Sequence, residues 1–147
     1  MAIRNIITEE NELLYKVCKH VENFDNKLSV LIDDMFDTMY KAKGVGLVAP
    51  QIGILRRIVV IQIDNKKKYE LVNPVIIESS KEEQFEQEGC LSIPGFYATT
   101  RRPKTVTVEA FDRNGVKHTY TGENLLARAF CHELDHLDGV LFKAKLL

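Results

Sequence analysis

The chain has 147 residues, 45% hydrophobic and 28% charged, a length and composition suited to one domain, residues 1–147, with an ordinary buried core. Twenty basic residues against twenty-one acidic ones leave a formal net charge of -1, which excludes an overall electrostatic footprint for nucleic acid or for an anionic membrane. No apolar run approaches the roughly 18 residues of a membrane span, and the opening MAIRNIITEEN carries acidic residues where a secretory signal needs an apolar centre. A cytoplasmic location is expected, and three scattered cysteines, Cys18, Cys90 and Cys131, fit a reducing compartment.

In chain order, Asp25 is placed as the N-cap of a helix over 26–42, where Leu28, Leu31, Ile32, Met35 and Met39 recur at helical spacing and Gly44 follows as a stop. Stretches rich in β-branched residues predict strands over 57–63, 71–77 and 104–111. Asn114-Gly115 favours the positive φ angles of a two-residue hairpin, which would pair 105–108 with 116–120 antiparallel. A last helix is expected from near Glu123 through LLARAFCHELDHLD, with Gly139 as its cap. Leu125, Leu126, Ala129, Phe130, Leu134 and Leu137 lie nearly all round it, so it should be buried by the sheets. The whole reads as α+β: mostly antiparallel strands packed around a buried C-terminal helix, plus an N-terminal amphipathic helix.

His132-Glu133-Leu134-Asp135-His136 is an HExxH pattern, which on a helix sets two imidazoles one turn apart on one face, able to grip a single metal. Glu133 then stands within reach of a water on that metal. Two histidines can fall four apart by chance, but two unpaired imidazoles and a carboxylate on a buried helix are costly without a ligand. The third ligand of a metzincin would be a histidine at the position held here by Phe142, which excludes that arrangement. No glutamate or histidine follows His136, so a thermolysin-like third ligand is excluded too. Upstream candidates are Cys18, His20, Cys90, His118 and Cys131, of which Cys131 points about 100° away from its neighbour His132 on a helix. Cys90, beside Gly89 in Glu88-Gly89-Cys90-Leu91-Ser92, is best placed to present a thiolate from a strand end or turn.

Three segments, Gly44-Val45-Gly46-Leu47-Val48-Ala49-Pro50-Gln51, Glu88-Gly89-Cys90-Leu91-Ser92 and His132-Glu133-Leu134-Asp135-His136, resemble the signature motifs of peptide deformylases in order and spacing. The similarity runs from Arg4-Asn5-Ile6 through Asn73-Pro74 and Arg102-Pro103 to Leu137-Asp138-Gly139-Val140-Leu141-Phe142. The resemblance implies metal-dependent hydrolysis of the formyl group from the N-terminal formylmethionine of nascent polypeptides, releasing formate. It makes Cys90, His132 and His136 ligands of one divalent metal, Fe2+ in the cell, with Zn2+, Ni2+ or Co2+ as substitutes. Glu133 would act as general base and then general acid on the metal-held water, and Gln51 and the Leu91 N–H would stabilise the oxyanion. The formyl-peptide would add as a strand along Val45, Gly46 and Leu47, with Gly89 also at the substrate and Leu125 and Ala129 walling the methionine pocket. Transient association with the ribosome near the exit tunnel is implied, with no nucleic-acid specificity and no membrane.

Some positions depart from the family pattern. Val48 replaces a common alanine and is expected to fill core, and Glu86 puts a charge where some relatives are apolar. Tyr97 stands where some members carry an arginine that contacts the substrate backbone, a role that is either lost here or taken by Arg101 or Arg102. The rival readings are an endopeptidase, a domain held together by a structural metal, and a deformylase-like paralogue acting on another N-acyl substrate. A structural zinc normally closes with four protein ligands and leaves Glu133 without a role.

Overall fold

The computed structural model describes residues 2–147. Helix α1 (Asn26–Lys41) begins where the Asp25 side chain accepts the Leu28 N–H at 3.0 Å, as its cap position predicts. It ends one residue earlier than expected, and the left-handed residue is Lys43, at φ 59, rather than Gly44. Gly44 is needed for a different reason: a Cβ there would stand 2.6 Å from Leu91 Cδ1.

Five strands form one antiparallel sheet, β1 (Gly46–Val48), β2 (Ile58–Ile61), β3 (Tyr69–Ser79), β6 (Thr105–Phe111) and β7 (Lys117–Glu123), in that order across the sheet. Strands β4 (Glu83–Cys90) and β5 (Ile93–Pro103) make a separate long hairpin that closes at Leu91-Ser92. Strand β2 is apolar at every position because both faces of the sheet are covered. Ile58 and Val60 join Leu47 and Val72 against Leu28, Ile32, Met35 and Met39 of α1. Val59 and Ile61 join Leu71, Val106 and Val108 against Phe130, Leu134 and Leu137 of the second helix, α2 (Leu125–Leu137). Helix α2 starts two residues after the expected Glu123, which ends β7, and ends at Leu137, with Asp138 as its cap and Gly139, at φ 75, just beyond. A third cluster, Leu14, Ile93, Leu141 and Phe142, ties the chain ends to β5.

The β6–β7 pair is antiparallel as expected, but its turn is not a two-residue one. Asp112 pairs with Val116 through the Asp112 N–H, the Gly115 N–H bonds the Asp112 carbonyl, and only Gly115 has positive φ. The physical reason is Asp112, whose Oδ1 accepts the Asn114 and Val116 N–H groups, so that 113 and 114 are not turned to positive φ. Val48 is fully buried against the α2 layer, as core. No helix among the described residues is long and apolar enough to cross a membrane.

Candidate active site

Helix α2 presents His132 and His136 on the face that meets the closed end of the β4–β5 hairpin, where Cys90 stands. Cys90 Sγ lies 3.2 Å from His136 Nε2, and one ligating atom from each of Cys90, His132 and His136 falls within 4.8 Å of the others. First-row metal ions with nitrogen and sulfur ligands hold such donors about 3 to 4 Å apart, so this trio fits one ion. The remaining cysteines are elsewhere: Cys18 and Cys131 are buried in the α2 core layer, where burial pushes both thiols up to about 11 and keeps them protonated. His118 is bound to Asp112 at 2.8 Å, and His20 lines a separate groove.

The second nitrogen of His132 is fixed from behind. His132 Nδ1 is 3.0 Å from Glu88 Oε1, which leaves Nε2 facing the trio. Glu88 accepts two bonds from Arg102, at 2.9 and 3.0 Å, and one from Thr100, while Arg102 reaches Asp135 at 2.7 Å. Burial alone would raise Glu88, but the bonds from His132, Arg102 and Thr100 outweigh it and hold the carboxyl at about 2. Burial would also lower His132, yet Glu133, Cys90 and Glu88 outweigh it and push the imidazole up to about 10. That anionic surrounding suits a cation. His136 is driven down to about 3 by burial and by His132, so its imidazole is a neutral donor. Its Nδ1 has no protein partner.

Glu133 is buried beside the trio, and burial raises its pKa. Its Oε1 has no protein partner, and its Oε2 lies against Gly46, where a Cβ would approach to 2.4 Å. Gln51, in the 3-10 turn Ala49–Ile52 after β1, is equally fixed. Its Oε1 accepts the Val48 N–H at 3.0 Å, which turns Nε2 toward Ser92 Oγ at 3.1 Å and Cys90 Sγ at 3.6 Å. The two N–H groups of this amide are thus directed at Ser92 Oγ and Cys90 Sγ, and a new acceptor in the site would have to share or displace one of them.

Gln51, Cys90, His132 and Glu133 floor a cleft of about 380 Å³, with Lys43, Gly44, Val45 and Gly46 along one wall and Gly89, Leu91 and Tyr97 along the other; His136 is fully buried beneath it. The first wall is the outer edge of the sheet, because β1 pairs only with β2. Leu47 belongs to this strand but is fully buried, with its side chain in the α1 layer. A smaller cavity of about 120 Å³ adjoins it, walled by Val45, Gly89, Leu125, Arg128, Ala129 and the same His132 and Glu133. Ala129 is buried there, whereas Leu125 is 39% exposed, at the rim.

Sequence reasoning missed the Thr100–Glu88–Arg102–Asp135 network and Ser92. Arg102 and Glu88 each lie in motif segments, but only the hairpin register brings them together. Of the two alternatives at Tyr97, loss of the arginine's role or its transfer to Arg101 or Arg102, the geometry removes the transfer. Arg102 is consumed by Glu88 and Asp135, and Arg101 is 3.9 Å from Glu83 and stacked on Phe85, so neither reaches the cleft. Glu86 is exposed on β4 and lines neither cavity.

A family model described as polypeptide deformylase matches residues 3–146. The chain is 50% identical to the peptide deformylase of Acetivibrio thermocellus over 147 residues, covering 100% of this chain and 85% of that one. A crystal structure of a peptide deformylase from Legionella pneumophila has 51% identity and a TM-score of 0.95, over 99% of this chain and 87% of the other. That of Thermotoga maritima, at 35% identity, has a TM-score of 0.97 over 100% and 99%. Agreement of sequence and backbone along almost the whole length means that the chain belongs to the peptide deformylase family.

Proposed function

We propose a division of labour for the deformylation that this chain performs on formylated nascent peptides. Cys90, His132 and His136 hold one divalent metal, Fe2+ in the cell, and Zn2+, Ni2+ or Co2+ can replace it. The mixed nitrogen and sulfur donor set suits this borderline group of ions rather than Mg2+ or Ca2+. A bound ion would make water acidic enough to ionise near neutral pH and would polarise the formyl oxygen.

Glu133 takes the proton of the attacking water on its unpartnered Oε1 and delivers it to the departing amine nitrogen. Burial, which raises its pKa, favours the protonated form needed for the second step. Gln51 Nε2 and the Leu91 N–H donate to the oxyanion as it forms. The peptide adds as a strand along Val45, Gly46 and Leu47, with Gly89 opposite, and the methionine side chain enters the cavity of Leu125 and Ala129. Residues 1–147 act as one catalytic domain in the cytoplasm, which meets its substrates by transient association with the ribosome near the exit tunnel.

The observation that carries this reading is the meeting of Cys90 and His136 at 3.2 Å, beside Glu133, below a cleft edged by a strand that is paired on one side only. The test is formate release from a formyl-methionyl peptide by anaerobically purified protein, with bound metal quantified before and after chelation. Release that disappears with the metal and returns with Fe2+ is expected. Stoichiometric metal without release, in folded protein, would refute the assignment.

A further inference from the structure

The cleft carries a charge that the chemistry above does not use. Lys43 is exposed at its mouth, and among the described residues it makes no ion pair, unlike Lys104, Lys117 and Lys143. The acidic residue lining the cleft is Glu133, buried at its floor beside the metal trio. Lys43 is also held where it stands. The Lys43 N–H bonds the Tyr40 carbonyl and the Gly44 N–H the Met39 carbonyl, so the chain leaves α1 in a fixed turn and enters β1 directly. Across the cleft, Tyr97 is 65% exposed and its ring lies over Gly89, where a Cβ would stand 2.4 Å from Cε1.

The direction and register of a bound peptide follow from these positions. This step rests on the proposed placement of the peptide along Val45, Gly46 and Leu47, with its formyl end on the side of Gly46 and Leu47. The formyl carbon must lie near Glu133, hence opposite Gly46. The chain cannot continue past Leu47 and Val48, which are fully buried and lead into the turn holding Gln51. It must run the other way, antiparallel to β1, past Val45 and Gly44 to the open mouth. Paired strands advance residue for residue at about 3.3 Å each. Methionine therefore lies beside Val45; beyond it the wall is the turn of Gly44 and left-handed Lys43 rather than strand, so the third residue, about 7 Å further toward the mouth, passes beside Lys43 without pairing to it.

We propose that Lys43 reads the third residue of the substrate, favouring formyl-methionyl chains with Asp or Glu there and disfavouring those with Lys or Arg. The mouth is open, so the interaction is that of a solvent-exposed pair: modest, screened by salt, and exerted on productive binding rather than on chemistry.

The test compares kcat/KM for formyl-Met-Ala-Glu, formyl-Met-Ala-Gln and formyl-Met-Ala-Lys peptides, each extended by two alanines and C-terminally amidated so that the third residue carries the only charge. At low ionic strength the Glu peptide should exceed the Lys peptide by about three- to tenfold, mainly through KM, and the ratio should fall toward one in 0.5 M salt. Lys43→Gln should shrink the ratio and Lys43→Glu should invert it. Moving the charged residue to the fifth position should abolish the preference. Equal rates for the three peptides in the native enzyme, or a preference that survives Lys43→Glu, would overturn the proposal. Both results still require release from the neutral peptide, so they are distinct from failure of the deformylase mechanism, in which no peptide releases formate.

Discussion

Glu133 is positioned by what is absent opposite it. Gly46 leaves room for the carboxylate, and a methyl group there would come within 2.4 Å of Oε2. Gly46→Ala should therefore leave metal content intact and lower kcat by about 100-fold, because it displaces the proton acceptor rather than removing it. Glu133→Ala should keep fold and metal and lose nearly all activity. Cys90→Ala should lose metal affinity as well, since two imidazoles remain where three donors stood. Metal content and formate release measured on the same samples separate the three variants, and full activity in either Glu133→Ala or Cys90→Ala would sink the mechanism. At this scale the sequence was legible where chemistry is local. HExxH on a helix fixes two ligands by its own period, whereas Glu88, Thr100, Arg102 and Asp135 meet only through the β4–β5 hairpin and its packing on α2.

Among the elements, α1 could be read because its cap and its apolar spacing are both written in consecutive residues. Strand β4 could not, since EQFEQEGC buries only Gln84 and Glu88, polar side chains whose partners lie on β5, α2 and the intervening chain. Strand β1, at three residues, is too short to leave a period. Helix α1 also anchors the N-terminal segment through Asp34, which accepts the Ala2 N–H at 2.9 Å and two bonds from Arg4 at 3.1 and 2.8 Å. The Ala2 N–H and the Arg4 guanidinium together outweigh burial and hold Asp34 below its ordinary 3.8. A carboxyl with a depressed folded pKa contributes stability that is complete above its unfolded value and is lost as pH falls through the folded one. The segment should thus be fully docked above about pH 4, the unfolded carboxyl value, and loosen progressively as pH falls below it toward the lowered folded value, seen as a shift of the Ala2 and Arg4 amide resonances. Asp34→Asn should show weakened docking already at pH 7. A segment that remains fully docked in that variant would refute the anchor.

In the whole molecule, the sheet is closed over by α1 on one face and α2 on the other, while the hairpin packs on α2 through its buried polar residues. A metal held by Cys90, His132 and His136 would bridge these two parts. Metal binds the folded protein in preference to the unfolded chain, so holoprotein should melt higher than chelated protein, by about 3 kcal/mol at a hundredfold excess over Kd. Calorimetry on the two forms checks this, and identical melting temperatures would show that the ion does not bridge the parts. The α+β class was legible because runs of β-branched residues and a 3.6-residue apolar period were both present; the separation of the hairpin from the main sheet was not, since it depends on which strand pairs with which. That split has a consequence for how such a chain can vary. Sulfur comes from a hairpin tip and nitrogen from a helix, so lengthening either element by one residue would rotate or translate one donor out of reach of the others. The turns at 64–68 and 112–116 lie outside both elements, and there the chain is free to grow or shrink without disturbing its chemistry.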